Sequence, residues 1–170
     1  LIDQFSLERV SKSGAKFDYE KGKWFNHQYL QLKSNEELAE QFMPYLEAKG
    51  LSGDMTTVAK VIGLTKDRVN FVSELWEQVN FFFVAPTESD EKSLKKRWKE
   101  DSPKHMTEML ALLETHEDWS AEGLDNLIMP WIAEKEYGVG IVMNAFRICL
   151  VGAARGPHIW NITDVLGREE

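Results

Sequence analysis

Residues 137–168 read YGVGIVMNAFRICLVGAARGPHIWNITDVLGR and carry the clearest structural signal in this 170-residue chain. The first part predicts an apolar helix that contains a single arginine, Arg147. A turn of small residues follows from Gly152 to Gly156, and Pro157 can open a second helix because its fixed φ suits the first helical turn. Two helices that meet at such a turn place backbone N–H groups and a guanidinium on one surface. We expect that surface to recognise a ligand rather than to carry out chemistry.

Helical periodicity extends through almost the whole chain, so we predict an all-α fold. Ser34 and Glu37 have the spacing of a capping box at the start of one helix. Thr65 is expected to cap a helix that runs to about Phe83. Ser102, followed by a proline, and Ser120 are expected to cap two later helices.

A domain boundary is predicted where the apolar run Phe81–Val84 ends at Pro86 and a polar segment follows. We therefore expect two helical subdomains, residues 1–83 and residues 84–170.

Acidic residues are concentrated in the middle of the chain. The net charge of −8 argues against a general nucleic-acid binder. Residues 36–136 hold 11 Lys/Arg and 21 Asp/Glu, whereas residues 1–35 hold six and four, and residues 137–170 hold three of each. A phosphate backbone can therefore approach the two ends of the chain more easily than its middle.

Other patterns exclude several classes of protein. Cys149 is the single cysteine, so no disulfide can form within the chain and a reducing compartment is expected. We see neither a signal peptide nor a run long enough to span a membrane, and predict a cytoplasmic protein. Because the chain starts with Leu1 instead of Met, we expect a piece of a longer protein. No nucleophile motif, phosphate loop or metal-ligand spacing is present, so we predict no catalytic residue and no metal site.

Several basic features allow two interpretations. Arg68 and Arg147 each lie in a largely apolar segment, where a guanidinium either pairs with an acid or reads a planar ligand. Residues 57–69 have the layout of a helix-turn-helix, which would suit a regulatory or protein-interaction module. Lysines near the start alternate with aromatic residues, as on an RNA-facing surface or on the solvated edge of a core. These lysines are Lys12, Lys16, Lys21 and Lys23.

Short motifs occur along the whole chain in a characteristic order. They are FSLERVSKSGAKFD and KWFN (residues 5–18 and 23–26), KDRV (66–69), FFF (81–83), and FRICLVG, GP and DVLG (146–152, 156–157 and 164–167). In this order and spacing the motifs resemble the C-terminal half of bacterial-type glutamyl-tRNA synthetases.

The resemblance implies a fragment of a class I aminoacyl-tRNA synthetase. Residues 1–83 would contact the tRNA stem and form a first anticodon-binding part, and residues 84–170 would form an anticodon-binding helical cage. The implied partners are the tRNA for glutamate and the catalytic domain of the same parent chain. The parent would be a monomeric cytoplasmic ligase that joins glutamate to its tRNA with ATP and Mg²⁺. This fragment would hold no cofactor and would be inactive alone.

Individual residues take their roles from the same resemblance. Arg147 matches the family arginine that faces the anticodon, and Arg68 matches a position that reads an anticodon base. Gly156, Pro157 and Ile159 match the turn that packs on anticodon bases. These residue types suit unpaired bases, which proteins stack on planar or apolar groups and bind along their edges.

Two further sets of contacts are expected beside the anticodon. Arg155, next to the turn, is expected to contact a phosphate. The tRNA stem is expected to contact the four lysines near the start of the chain, namely Lys12, Lys16, Lys21 and Lys23.

Three positions depart from the family pattern. Gly22 replaces a leucine, which predicts different packing before the Trp–Asn motif. Val151 replaces a threonine, and Gly156 lacks the hydroxyl that some relatives offer, so only the backbone of Gly156 can serve the middle base. The resemblance does not decide between glutamate and glutamine tRNA.

Overall fold

The computed structural model describes residues 6–9, 14 and 16–168, and their regular structure is entirely helical. The α-helices in this part of the chain are α1 (Tyr19–Leu32), α2 (Asn35–Glu47), α3 (Met55–Gly63), α4 (Leu75–Val79), α5 (Glu91–Arg97), α6 (Ser102–Thr115), α7 (Ala121–Glu134), α8 (Val139–Val151) and α9 (Ile159–Leu166). Single 3-10 turns occupy Leu7–Arg9, Lys66–Arg68, Val72–Glu74 and Asn80–Phe82. The predicted all-α class is confirmed. None of the described helices is both long and apolar enough to cross a lipid bilayer.

A first hydrophobic core forms between α2, α3 and α4. The predicted capping box starts α2: the hydroxyl of Ser34 accepts the Glu37 N–H at 3.1 Å, and the Glu37 carboxylate accepts the Ser34 N–H at 2.8 Å. Leu38, Phe42 and Leu46 follow one turn apart, so one face of α2 is buried. The other buried members of this core are Leu30, Ala39, Val58, Ala59, Val61, Ile62, Val69, Leu75 and Val79.

A second core forms between α6, α7, α8 and α9. Ser120 caps α7 as predicted, because its hydroxyl accepts the Gly123 N–H at 3.0 Å. The indole N–H of Trp160 on α9 donates to the Asp125 carboxylate on α7 at 2.6 Å and fixes these two helices together. The buried members of this core are Phe81, Met109, Leu113, Leu124, Ile128, Trp131, Ile132, Val142, Phe146, Val151, Ile159, Trp160 and Ile162.

The two cores are in contact with each other. Phe82 packs against both of them, and Nζ of Lys60 on α3 lies 2.8 Å from the Asp164 carboxylate on α9. The first core ends at Val79 and the second begins at Phe81. The division between the cores therefore falls at the start of the apolar run Phe81–Val84, which suggested the domain boundary. The subdomain limits at residues 83 and 84 stay a prediction.

The continuous helix predicted from Thr65 to Phe83 is wrong. The hydroxyl of Thr65 donates back to a carbonyl of α3 at 3.1 Å and caps no new helix. The carboxylate of Glu74 accepts the N–H groups of Asn70 and Phe71 at 2.7 and 3.3 Å. A side chain therefore satisfies two amides that a helix would have used, and the segment divides into 3-10 turns and the short helix α4.

Two helix starts also differ from prediction. Ser102 lies inside the first turn of α6, where it is buried and its hydroxyl accepts the Lys99 N–H at 2.8 Å, so it does not cap the helix. The last helix begins at Ile159 and not at Pro157.

Candidate nucleic-acid interface

Arg147 lies at the edge of the second core. It is half-buried on α8, whose buried residues are Val142, Ala145, Phe146, Ile148 and Val151. The helix ends at Gly152, whose φ of 72° lies in the left-handed region that favours glycine. The chain must therefore turn sharply just after the arginine.

The guanidinium of Arg147 binds the turn that follows α8. Its Nη1 donates to the carbonyl oxygens of Arg155 at 3.1 Å and Pro157 at 2.7 Å. These two bonds use one of the three nitrogens of the group, which has five N–H donors in a rigid plane. Arg147 is therefore fixed in position and keeps donors on its other nitrogens for a ligand.

The charge of Arg147 has no carboxylate partner in the described part of the chain. Burial lowers the pKa of its guanidinium, and the positive charge of Arg68 lowers this pKa further. An arginine stays protonated despite such a shift. Because an unpaired, half-buried charge is costly, this site favours a ligand that carries acceptor oxygens or negative charge.

Gly156 brings the turn close to the arginine. Its φ of 107° is one that residues with side chains rarely adopt. A Cβ on this residue would lie 3.5 Å from Nη1 of Arg147 and 3.6 Å from the ring of Phe81. The turn therefore lies against Arg147 and the second core, and Gly156 is partly exposed.

The beginning of the turn is tied to the start of α5. The carbonyl of Gly152 accepts the Asp90 N–H at 2.7 Å, and the Ala154 N–H donates to the hydroxyl of Ser93 at 3.0 Å. Hydrogen bonds hold both ends of this turn, which fixes its conformation before any ligand binds.

Arg68 comes to the same region from the first core. It ends the 3-10 turn Lys66–Arg68, and its side chain is 41% exposed. Buried Val69 anchors the turn on one side, and Gln31 of α1 donates to the Lys66 carbonyl at 2.8 Å on the other. The positive charge of Arg68 lowers the pKa of Arg147, so the two guanidinium groups lie within electrostatic range of each other.

The family of the chain follows from comparison with known proteins. Residues 37–170 match the family model of the anticodon binding domain. The chain belongs to the anticodon-binding domain family.

Relatives of this anticodon-binding domain are glutamate–tRNA ligases. The chain is 58% identical over 170 residues to the ligase of Bacteroides fragilis and 56% identical to that of Bacteroides thetaiotaomicron. Each match covers all of this chain and 34% of the relative, so the chain spans about a third of their length. A solved glutamate–tRNA ligase from Elizabethkingia meningosepticum, in complex with its amino acid, has a TM-score of 0.90 and 37% identity, and the match covers 99% of this chain and 33% of that one. The chain corresponds to the anticodon-binding part of these ligases.

Three other predicted contacts of the anticodon-binding domain lie around its turn. Arg155 is exposed, and its charge adds a little to the lowering of the Asp90 pKa, which comes mainly from hydrogen bonds with Ser93. Pro157 is buried, and Ile159 is only 4% exposed. The side chains of Pro157 and Ile159 therefore support the turn from the core, whereas Ala154, Arg155 and His158 are exposed.

The predicted stem contacts of the domain lie on or before α1. The structure describes Lys16, which is exposed, together with Lys21 and Lys23, whereas Lys12 lies outside the described residues. Nζ of Lys23 lies 3.4 Å from the Glu20 carboxylate and 4.7 Å from the centre of the Tyr19 ring. This lysine is thus held near α1 rather than extended into solvent.

A polar groove joins Lys23 to Arg68. It has a volume of about 440 Å³ and is lined by Glu20, Lys23, Trp24, His27, Asp67, Arg68 and Asn70. Trp24 is 56% exposed there and offers a ring on which a base could stack. We did not assign Trp24 or His27 to a site from the sequence, because the two walls of the groove are about 40 residues apart in the chain. The alternation of lysines and aromatics was the one sequence signal that pointed to Trp24, and none pointed to His27.

The departure at Gly22 has a structural counterpart. The ring of Phe17 lies over this glycine, and a Cβ there would be 3.1 Å from its Cζ atom. A larger side chain at position 22 would displace Phe17, so the packing before the Trp–Asn motif follows from the glycine.

Metal ligands are not grouped in the described part of the domain. No cluster of three or more His, Cys, Asp or Glu side chains in these residues is arranged to hold a metal ion.

Proposed function

We propose that the chain is the anticodon-binding third of a glutamate–tRNA ligase and that it holds the anticodon loop against Arg68, Arg147 and the turn Arg155–Pro157. The observation that carries this proposal is the pair of hydrogen bonds from Arg147 to the turn, 3.1 and 2.7 Å long, with Arg68 within electrostatic range. Two cations and a turn that hydrogen bonds fix therefore lie near one another at the edge of the second core.

The physical chemistry of this surface suits unpaired bases. Anticodon bases have edges that arginine and backbone groups can bind, and faces that stack on planar side chains. Because hydrogen bonds already fix the turn, binding does not have to order it, and less conformational entropy is lost.

Each predicted residue has a role in this proposal. Arg147 reads a base edge, and the backbone of Gly156 serves the neighbouring base. Pro157 and Ile159 form the apolar support beneath the turn, and Arg155 contacts a phosphate.

The first core provides the remaining tRNA contacts in this proposal. Arg68 binds at the junction, and the groove leads from it along α1 to Lys23. We propose that Lys12, Lys16 and Lys21 contact the stem as well, although they do not line this groove and Lys12 lies outside the described residues. Such a surface would contact phosphates with its lysines and a base with Trp24.

The parent protein in this proposal is a monomeric cytoplasmic ligase. It joins glutamate to its tRNA with ATP and Mg²⁺, and we place its nucleotide site in the two thirds of the ligase length that this chain does not cover. We therefore expect the 170-residue chain alone to form no glutamyl-tRNA.

The test is an equilibrium titration with glutamate tRNA and with a copy whose anticodon has been replaced. Loss of a bidentate arginine contact costs about 1–3 kcal/mol of base discrimination. We therefore expect Arg147→Ala to weaken the complex with glutamate tRNA by roughly 5- to 150-fold. The complex with the anticodon-replaced tRNA should weaken much less. Arg168→Ala is the matched control, because Arg168 also donates to a backbone carbonyl, that of Glu114, away from the turn.

Two results would contradict the proposal. Equal affinity of the unmodified chain for both tRNAs would show that it does not read the anticodon. An equal loss for both tRNAs in Arg147→Ala would assign this arginine to a phosphate or to the structure of the turn. The same titration in the full-length ligase, with glutamine tRNA added, tests which tRNA the parent selects.

The helix-turn-helix alternative lacks its second helix. Residues 66–68 form one 3-10 turn after α3, and the next α-helix begins only at Leu75. No recognition helix therefore follows the turn at Gly63, as DNA reading in the major groove requires.

A further inference from the structure

Helix α5 and the two residues that follow it carry the densest group of cations in the chain. Five of the 11 Lys/Arg of residues 36–136 lie within residues 91–99, which hold one acid, Glu91. Glu91 lies in the first turn of the helix, where a carboxylate complements the helix dipole. All five cations are exposed, and we name them the α5 cations: Lys92, Lys95, Lys96, Arg97 and Lys99. The acidic middle of the chain therefore contains one local basic surface.

One side of α5 faces the protein and the other faces solvent. Ser93 and Leu94 are half-buried, and the helix packs against α8. Lys92, Lys95 and Lys96 are spaced by three and four residues, so they share a face of the helix. Lys92 and Lys96 are one turn apart, about 6 Å along the axis. The three lysines therefore form a row on the solvent side.

Hydrogen bonds join α5 to the turn that follows α8. The Ala154 N–H donates to the hydroxyl of Ser93 at 3.0 Å, and the Asp90 N–H donates to the carbonyl of Gly152 at 2.7 Å. These bonds connect the start of α5 to the same turn whose other end accepts hydrogen bonds from Arg147. The row of lysines is therefore fixed next to the candidate anticodon site.

The α5 cations keep their charge available beside this turn. In the part of the chain that the structure describes, none of the ion pairs involves an α5 cation. Hydrogen bonds with Ser93 lower the pKa of the Asp90 carboxyl, and the charges of Lys92 and Arg155 lower it a little further. Lys92 and Arg155 therefore lie within electrostatic range of one carboxylate, so the row continues from the turn.

We propose that the solvent side of α5 binds tRNA phosphates that flank the anticodon bases held by the turn. This proposal rests on the proposed function and extends its binding surface onto a helix to which the sequence assigned no role. A lysine ammonium binds phosphate as a point charge and reads no base. The α5 cations therefore add affinity for any tRNA, and base selection stays with Arg147.

The charge of the surrounding surface explains why such a row is needed. Apart from residues 91–99, residues 36–136 hold six Lys/Arg and 20 Asp/Glu. This acidic excess repels the phosphates of an RNA that reaches the turn. A row of cations tied to the turn offsets the repulsion where the RNA backbone passes.

The salt dependence of tRNA binding tests the proposal. The full-length ligase that carries this chain is titrated with glutamate tRNA between about 50 and 200 mM salt. Lys92→Gln combined with Lys96→Gln removes two charges of the row and keeps helix propensity. Each lost phosphate contact lowers the slope of log affinity against log salt by roughly 0.7–0.9, so we expect the slope to fall by roughly 1.4–1.8. At about 0.1 M salt this corresponds to a loss of affinity of more than about tenfold.

Lys49→Gln combined with Lys135→Gln is the matched control, because it removes the same net charge elsewhere. Nζ of Lys49 lies 4.5 Å from the centre of the Trp76 ring, and Lys135 precedes α8 at the end opposite the turn. We expect this pair to leave the slope unchanged. An equal fall in both double variants would show that overall charge, rather than contact with α5, determines the slope, and would overturn the proposal.

A hairpin that contains only the anticodon arm of glutamate tRNA locates the contact. The Lys92 and Lys96 double variant should lose as much slope with the hairpin as with whole tRNA. A loss confined to whole tRNA would place α5 against another part of the tRNA, and an unchanged slope with both RNAs would leave α5 for a protein partner. Either result overturns the proposal.

Failure of this inference is distinguishable from failure of the proposed function. The Lys92 and Lys96 double variant should keep the ratio of affinities for glutamate tRNA and its anticodon-replaced copy, whereas Arg147→Ala reduces this ratio. If the chain does not read the anticodon, the unmodified ligase shows no such ratio, yet the slope still reports contact with α5. A reduced ratio in the double variant would assign base reading to α5 and contradict a pure phosphate contact.

Discussion

The two turns that present the predicted arginines differ in how firmly they are held. The turn after α8 is fixed by hydrogen bonds at both ends, and Arg147 itself donates twice to its carbonyls. Arg68 ends a single 3-10 turn, and its nearest carboxylate, that of Asp67, is 3.9 Å away and 73% exposed. One guanidinium is therefore set in place by two hydrogen bonds, whereas the other is 41% exposed and makes only a long ion pair with Asp67.

We propose from this difference that the two arginines make different kinds of contact, and that Arg68 contributes less to base reading than the resemblance implies. A fixed, half-buried guanidinium can enforce the geometry of a base edge at little entropic cost. A mobile, exposed guanidinium loses rotamer freedom when it binds and contributes mainly charge. We therefore expect selectivity to depend on Arg147, and general attraction for tRNA on Arg68.

The largest effect should come from Gly152→Ala, which disturbs the fixed turn. A left-handed residue with a side chain costs about 1–2 kcal/mol, and the new Cβ would lie 2.8 Å from the Glu88 carbonyl. With the added clash we expect the free energy of unfolding to fall by roughly 2–4 kcal/mol, measured by urea denaturation.

Gly140→Ala is the control for this prediction. Gly140 lies on the same helix, where a Cβ has no neighbour closer than 4.0 Å, so the change should stabilise by up to about 1 kcal/mol. An equal loss of stability in both variants would show that helix content, rather than the turn, determines the result.

The fixed turn also shows what the sequence could predict. The capping box of Ser34 and Glu37 was correct because both partners lie three residues apart and depend only on local geometry. The motif order led to Arg147 and the turn, yet the hydrogen bonds between them could not be inferred. They depend on the left-handed Gly152 and on how α8 meets α9.

The region of Arg68 was less predictable for a related reason. Its apolar spacing suggested one helix, but distant side chains bind its backbone: His27 lies 2.8 Å from the Val69 carbonyl, 42 residues along the chain. Glu74 adds a local competitor by accepting two amide groups. Such contacts override helix propensity, and hydrophobic periodicity contains no trace of them. The polar groove, which depends on the same contacts, was missed with them.

A smaller effect should distinguish the two arginines when each is replaced by lysine, which keeps the positive charge. Lysine cannot reproduce the planar fork of arginine. We expect Arg147→Lys to lose about 1–3 kcal/mol of discrimination between glutamate tRNA and its anticodon-replaced copy. Arg68→Lys should lose less than about 1 kcal/mol, because an exposed cation acts mainly through its charge.

Titration of both tRNAs at one salt concentration measures this pair of variants. The circular dichroism of each variant should match that of the unmodified chain. Equal losses of discrimination in the two would mean that both arginines read bases, and the contrast between the turns would then have no functional meaning.

The smallest effect concerns the repulsion between the two arginines in the chain without tRNA. The charge of Arg68 contributes to the lowered pKa of Arg147, so the two cations disfavour each other until an anion binds. Arg68→Ala should therefore raise the free energy of unfolding by a few tenths of a kcal/mol, roughly the value of an exposed charge pair.

The gain should shrink as salt is added, because exposed charges are screened over about 10 Å at 0.1 M. In a chain that already carries Arg147→Ala, Arg68→Ala should not raise the free energy of unfolding, because the repelling charge of Arg147 is absent. The four variants form a double-mutant cycle that isolates this repulsion. A gain that persists in the chain with Arg147→Ala, or that does not respond to salt, would assign the effect to the 3-10 turn itself and not to a repulsion that tRNA relieves.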